Sequence, residues 1–201
     1  MEKFYNNNQI EIGIDEAGRG PLFGNVYAGA VIWTDDLEPP EGLIVDSKKL
    51  SSKKRKLALK WIKENIKNFS VGCATNQEID DINILEATKL AMQRAIDGLS
   101  IKTDYLIIDG VGWEKKFKNY KVKSIPKGDN KYYSIAAASI LAKEYHDEHI
   151  LELCILDTSL NEKYNINKNM GYGTAKHIDG IRAYGYTPYH RKSFNVKKID
   201  K

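Results

Sequence analysis

Hydrophobic and polar positions in this chain follow two periods, and the changes between them outline the fold. Residues 9–14 alternate and predict a first strand; residues 25–33 predict a second, its hairpin partner across a glycine-rich turn. Residues 35–41 are acidic and hold Pro39 and Pro40, so they predict a loop. Ser51 or Ser52 can cap a helix running to about residue 66, with Leu57, Trp61, Ile62 and Ile66 at helical spacing and the lysines elsewhere. Residues 68–75 predict a third strand. Asn83 is the expected cap of a helix over 84–99 whose inner face holds Leu85, Thr88, Met92, Ala95, Ile96 and Leu99.

A continuous apolar run, 105–108, ends in Asp109 and Gly110 and suits a strand covered on both faces. Residues 120–125 predict a fifth strand. A long helix is expected over 131–156, its small residues allowing close approach to a neighbour. Thr174 is the expected cap of a last helix ending near Tyr184 and Gly185, and the polar stretch 159–169 reads as mobile. Alternation of strands and helices predicts an α/β layer with a mixed sheet. Strand order does not follow from the pattern. With no repeat and no linker, the expectation is one domain, a core over about 10–157 and a C-terminal helical segment over about 170–194.

At 201 residues the chain can bury a full core without staples. Cys73 and Cys154 sit in apolar contexts, with no zinc spacing and no expected disulfide. The N-terminus lacks the apolar core of a signal peptide, and no run of about 18 apolar residues exists, so the expectation is a soluble, cytoplasmic protein with no membrane contact. Net charge is only +4, but cations cluster at Lys48 and Lys49, at 53–56, across 115–131, at Arg191 and Lys192, and at Lys197 and Lys198. Each cluster alone reads equally well as a solvated face; together, beside a candidate metal site, they point to a nucleic-acid backbone.

That candidate site begins at Asp15 and Glu16, read as the end of the first strand, followed by Ala-Gly-Arg-Gly-Pro. Adjacent carboxylates at a strand end are costly unless a cation sits between them, and glycines admit a bulky ligand close to the backbone. The combination suggests Mg²⁺ or Mn²⁺ held against a polyanion. Asp109 ends the buried fourth strand, and Asp129 lies in Lys-Gly-Asp-Asn-Lys ahead of the long helix. Asp109 alone also suits a plain turn, and Asp129 a helix cap. In open α/β sheets ligands collect at strand ends, so Asp15 and Asp109 converge if their strands are parallel neighbours.

Six ordered blocks carry a resemblance. Asp-Glu-Ala-Gly-Arg-Gly-Pro-Leu-x-Gly (15–24), Asp-Ser-Lys-Lys-Leu (46–50), Ile-Asp-Gly (108–110), Lys-Gly-Asp-x-Lys-Tyr-Tyr-Ser-Ile-Ala-Ala-Ala-Ser-Ile-Leu-Ala-Lys (127–143), Gly-Tyr-Gly-Thr (171–174) and Thr-Pro-x-His-Arg-x-Ser-Phe (187–194) resemble bacterial ribonuclease HII. The resemblance implies an RNase H-like fold and metal-dependent endonucleolytic cleavage of RNA in RNA–DNA hybrids. It also implies cutting 5′ of single ribonucleotides embedded in duplex DNA, leaving 5′-phosphate and 3′-hydroxyl ends.

Carried over by motif, Asp15, Glu16, Asp109 and Asp129 are the catalytic acids and the ligands of two Mg²⁺ or Mn²⁺ ions. Gly18, Arg19 and Gly20 match the segment that senses the ribose 2′-hydroxyl, and Tyr172 matches a tyrosine that packs on the neighbouring deoxyribose. A monomer is implied. Read from the residues, Lys48 and Lys143 are candidate phosphate contacts or solvent-exposed lysines. Ser134 is a phosphate contact or a cap, and His190 is a structural hydrogen bonder or a backbone contact. His146 and His149 are expected at the surface or half-buried.

Phe23, Asn25 and Tyr27 depart from the smaller residues or prolines of the family pattern, as Glu144, Tyr145 and His146 depart from a less acidic stretch; none touches the four acids. Ribonuclease HIII would show threonine at position 19 and an extra N-terminal domain; Arg19 disfavours it.

Overall fold

The computed structural model describes residues 1–194; the expected cations Lys197 and Lys198 lie outside the described residues. Five strands, β1 (Ile12–Ala17), β2 (Val26–Val31), β3 (Phe69–Ala74), β4 (Tyr105–Asp109) and β5 (Lys121–Ile125), form one sheet in the order β3-β2-β1-β4-β5. The first three run antiparallel, β2 being the hairpin partner of β1. β4 lies parallel to β1, and β5 parallel to β4, giving the mixed sheet expected.

Helix α1 (Ser52–Asn65) is capped by Ser51, whose hydroxyl accepts from the Lys54 N–H. Helix α2 (Asn76–Asp97) begins a full two turns before the predicted start, under a capping box made by Thr75 and Glu78. Asn83 does cap a helical segment, accepting from the Leu85 and Glu86 N–H groups, but it does so at a break inside α2, with φ of 67°. The long α3 (Tyr133–Leu156) crosses the sheet, and α2 covers the opposite face. Close approach of α3 depends on Gly29: a Cβ there would lie 2.4 Å from the Ala138 carbonyl oxygen. The central strand β4 buries Leu106, Ile107 and Ile108 completely, as a strand covered on both faces requires.

Several expectations fail for one reason: periodicity does not say which face is covered. Leu57 and Leu85 are exposed, while Ala58, Ala87 and Ala91 take the inner positions. The stretch 159–169, expected to be mobile, forms helices α4 (Ser159–Tyr164) and α5 (Ile166–Asn169). They bury Leu160, Tyr164 and Ile166 against Phe23, Ile150 and Ile181, the last from α6 (Ala175–Tyr184), which Thr174 caps as predicted. His146 is fully buried beneath Gly18 rather than at the surface. Ser134 is buried against Gly13, where it neither caps α3 nor reaches solvent.

Candidate active site

Strand β1 runs on past its alternating stretch to Ala17, so Asp15 and Glu16 lie at its end, as expected. Successive residues of a strand point to opposite faces, and both acids are nevertheless largely enclosed. Parallel pairing of Ile14 with Ile108 makes the next residues on each strand, Asp15 and Asp109, neighbours across the sheet. Asp129 arrives from a 3-10 turn (Gly128–Asn130) tied to β4: the Gly128 N–H donates to Asp109 Oδ1 at 2.6 Å. Since α3 has no side-chain cap, the alternative role of Asp129 as its cap falls away.

Electrostatics define the group as strongly as geometry. Burial, then the charges of Glu16 and Asp109, push the Asp15 carboxyl well above the ordinary range. Burial and the charges of Asp109 and Asp46 raise Asp129. Burial raises Glu16 as well, opposed by Arg19, whose guanidinium donates to Glu16 Oε1 at 3.0 Å. Such mutual repulsion marks a place prepared for positive charge.

Lys48 supplies part of it. Although burial opposes its charge, the fields of Asp15, Asp46, Asp129 and Asp109 raise its pKa. The motif block 46–50 therefore contributes both a cation and an acid, Asp46, that residue-level reasoning did not single out. Asp46 accepts from the Lys48 N–H at 2.9 Å and from Asn130 Nδ2 at 3.3 Å. Ser139, on α3, meets Ser47 at 3.0 Å and lies close enough to Asp15 to lower its pKa, so α3 also reaches the acids.

A groove of about 350 Å³ opens from Glu16 and is lined by Gly18, Arg19, Gly20, Lys48, Lys143 and Tyr172, among others. Gly18, Arg19, Gly20, Lys48, Lys143 and Tyr172 thus border one hollow, while Ser134 and His190, the other candidates for phosphate or backbone contact, do not. Arg19 sits between Glu16 and the ring of Trp113, 6.0 Å away. Tyr172 is 44% exposed, and a Cβ on Gly20 would come within 3.3 Å of its ring. Lys143 pairs with Asp147 at 2.8 Å.

Two cations expected on the surface turn inward instead. Arg55 pairs with the buried Glu144 at 2.7 Å. Arg191 is completely buried and donates to backbone carbonyls of residues 18–25. His190 is structural: its Nδ1 accepts from the Thr187 N–H, and its Nε2 meets His177 Nε2 at 3.0 Å. His177 Nδ1 in turn donates to the Tyr172 carbonyl. Residue type alone gave no signal for the inward turn of Arg55 or Arg191, whereas a structural role was one of the two expected for His190.

The donor set is all hard carboxylate oxygen, suited to Mg²⁺ or Mn²⁺. Among the described residues no three acids, histidines or cysteines gather into a closed ligand cluster. Mg²⁺ ordinarily takes only one or two carboxylates, completing its shell with water and substrate phosphate, so open spacing and donor type fit together.

The sheet order, its flanking helices and an acid group at the β1–β4 edge define an RNase H-like protein. Residues 12–197 match the family model described as Ribonuclease HII, and the chain belongs to that family of ribonuclease H enzymes. It is 45% identical to the Ribonuclease HII of Phocaeicola vulgatus, over 98% of this chain and 94% of that protein. Ribonuclease H2 from Pyrococcus horikoshii superposes with a TM-score of 0.72 at 27% identity, over 96% of this chain and 97% of that one. Bst-RNase HIII, solved in complex with Mn²⁺, shares the fold, with a TM-score of 0.60 at 19% identity over 88% of this chain and 70% of that one. Among the described residues no helix is long and apolar enough to cross a membrane.

Proposed function

We propose that this enzyme hydrolyses the RNA strand of RNA–DNA hybrids and cuts 5′ of ribonucleotides embedded in duplex DNA, leaving 5′-phosphate and 3′-hydroxyl ends. The observation that carries the reading is the parallel pairing of β1 with β4, which makes Asp15 and Asp109 neighbours in a buried, mutually repelling set of acids. In this reading Asp15, Glu16, Asp109 and Asp129 hold two divalent ions, Mg²⁺ or Mn²⁺. Bound there, such ions supply a hydroxide at neutral pH and shield charge on the leaving oxygen.

The chain's own residues do the rest. Asp15 and Asp109 are held by hydrogen bonds from the Glu16 and Gly128 N–H groups, so their oxygens are oriented before any ligand arrives. Lys48 and Lys143 meet phosphate oxygens. Telling RNA from DNA requires contact with the 2′-hydroxyl, and the bare backbone at Gly18 and Gly20 lets the chain reach it while Arg19 holds an adjacent phosphate. Tyr172, exposed beside Gly20, offers a flat face to the neighbouring deoxyribose. One chain lines the whole groove, so a monomer suffices.

The test is a DNA duplex with one ribonucleotide, incubated with Mg²⁺ or with EDTA. A nick on the 5′ side of the ribonucleotide, present with Mg²⁺ and absent with EDTA, is expected. Absence of cutting on this duplex alongside cleavage of a long hybrid would remove the single-ribonucleotide part of the proposal.

A further inference from the structure

Among the described residues Arg191 is the largest fully buried side chain, and no carboxylate of theirs forms an ion pair with it. Its guanidinium instead donates five hydrogen bonds to five carbonyls of one loop. Nε reaches Gly24 at 2.8 Å, and one terminal nitrogen reaches Arg19 at 3.1 Å and Pro21 at 2.8 Å. The other reaches Gly18 at 2.6 Å and Asn25 at 3.0 Å. Guanidinium has five N–H groups in a fixed fork, so every donor is used, and all on residues 18–25.

The backbone continues the attachment. The Arg191 N–H donates to Leu22, and Phe23 bridges His190 in antiparallel fashion. Asp80 accepts from the Lys192 and Ser193 N–H groups, and Asn76 donates to the Pro188 carbonyl, anchoring the segment to α2. Phe194 stacks over the guanidinium. The loop so gripped contains Gly18, Arg19 and Gly20, which form one wall of the groove.

We propose that Arg191 is a positioning residue for ribonucleotide recognition: its fork sets the backbone of residues 18–25 so that Gly18, Arg19 and Gly20 present a preformed surface to the ribose. This rests on the substrate reading above. Without the fork, five carbonyls lose this donor, among them that of Gly18, whose φ of +88° only the surrounding structure holds in place. Lysine at this position carries the charge but only three donors on a single atom, so it cannot span the five carbonyls. Burial lowers the Arg191 pKa only to about 10, so the fork stays charged at neutral pH.

Arg191→Lys and Arg191→Gln test this with two readouts. The first is amide hydrogen exchange, peptide by peptide. The second is affinity in EDTA for a duplex holding one ribonucleotide, against an all-DNA duplex of the same length. Exchange in residues 18–25 should rise at least tenfold in both variants while β1 and β4 keep their protection. Preference for the ribonucleotide duplex should fall at least fivefold, and kcat/KM for its cleavage at least tenfold. Wild-type exchange and preference in Arg191→Lys would overturn the role of the fork, because charge alone would then suffice. Loss of protection throughout β1 and β4 in both variants would also overturn it, by making Arg191 a support of the whole fold. If the native enzyme shows no preference, the substrate reading fails, and exchange in residues 18–25 still decides whether Arg191 sets the loop.

Discussion

Replacing Asp15 by asparagine keeps the shape of the side chain and removes one charge from a buried, repelling group, so it should separate stability from activity. Adjacent strands run about 4.8 Å apart, which puts the carboxylates of Asp15 and Asp109 roughly 5–8 Å from each other. Two unit charges at that distance repel by about 2–3 kcal/mol at an effective dielectric of about 20. Screening through the open groove and the attraction of Lys48 reduce this to about 1–2 kcal/mol. For a chain of this size that corresponds to a rise in Tm of roughly 3–6 °C without metal.

The sign follows from linkage. A carboxyl whose folded pKa is raised destabilises the fold increasingly as pH climbs from the ordinary carboxylate range through that raised value, so the gain of Asp15→Asn should grow with pH and vanish below the ordinary carboxylate range. Thermal melts in EDTA and in Mg²⁺, with cleavage assays alongside, measure both halves. Wild type should gain stability with Mg²⁺; Asp15→Asn should be more stable than wild type in EDTA, gain little from Mg²⁺, and cleave at least a thousandfold more slowly. A variant that melts at or below wild type in EDTA, or that cleaves at the native rate, would refute the argument.

Three further outcomes are expected. Arg19→Ala should lower kcat/KM on single-ribonucleotide duplexes by ten- to a hundredfold with the melting curve little changed, since its bond to Glu16 is half-exposed; unchanged kinetics would remove Arg19 from the site. Gly29→Ala should cost about 2–3 kcal/mol in urea unfolding, because the new methyl meets the Ala138 carbonyl; an unchanged midpoint would mean that α3 can withdraw freely. Burial and the neighbouring His177 lower the His190 pKa to about 3, so folding excludes its proton, and stability is lost as pH falls below about 6.5. Between pH 6.5 and pH 5 that loss should be about 1.5 kcal/mol, measurable by urea titration and smaller in His190→Gln; equal slopes would place His190 outside the pH response.

Local signals were reliable wherever the information is local. Ser51 and Thr174 cap their helices because a hydroxyl bonds an N–H three residues on. The apolar run before Asp109 suited a strand covered on both sides, and β4 is one. The nearness of Asp15 to Asp109 was foreseeable only on condition that their strands be parallel neighbours, and β1 and β4 meet that condition. Errors arose where the partner decided. Leu57 and Leu85 fit a helical stripe as well as Ala58 and Ala87, and packing chose the alanines. The stretch 159–169 looked polar because its few apolar residues are spaced apart, yet Leu160, Tyr164 and Ile166 find a core shared with Phe23.

The amino acids alone determine what this protein can offer a ligand: carboxylate oxygens, a glycine-bared backbone and an aromatic between glycines are properties of residue types in short motifs. Only the tertiary structure decides their arrangement. It sets β1 beside β4, turns α3 toward the acids through Ser139, and spends a buried arginine on carbonyls up to 173 positions away. The physical reason is that a charge or a carbonyl reports its own need, while what satisfies that need comes from wherever the chain brings a partner within hydrogen-bonding distance.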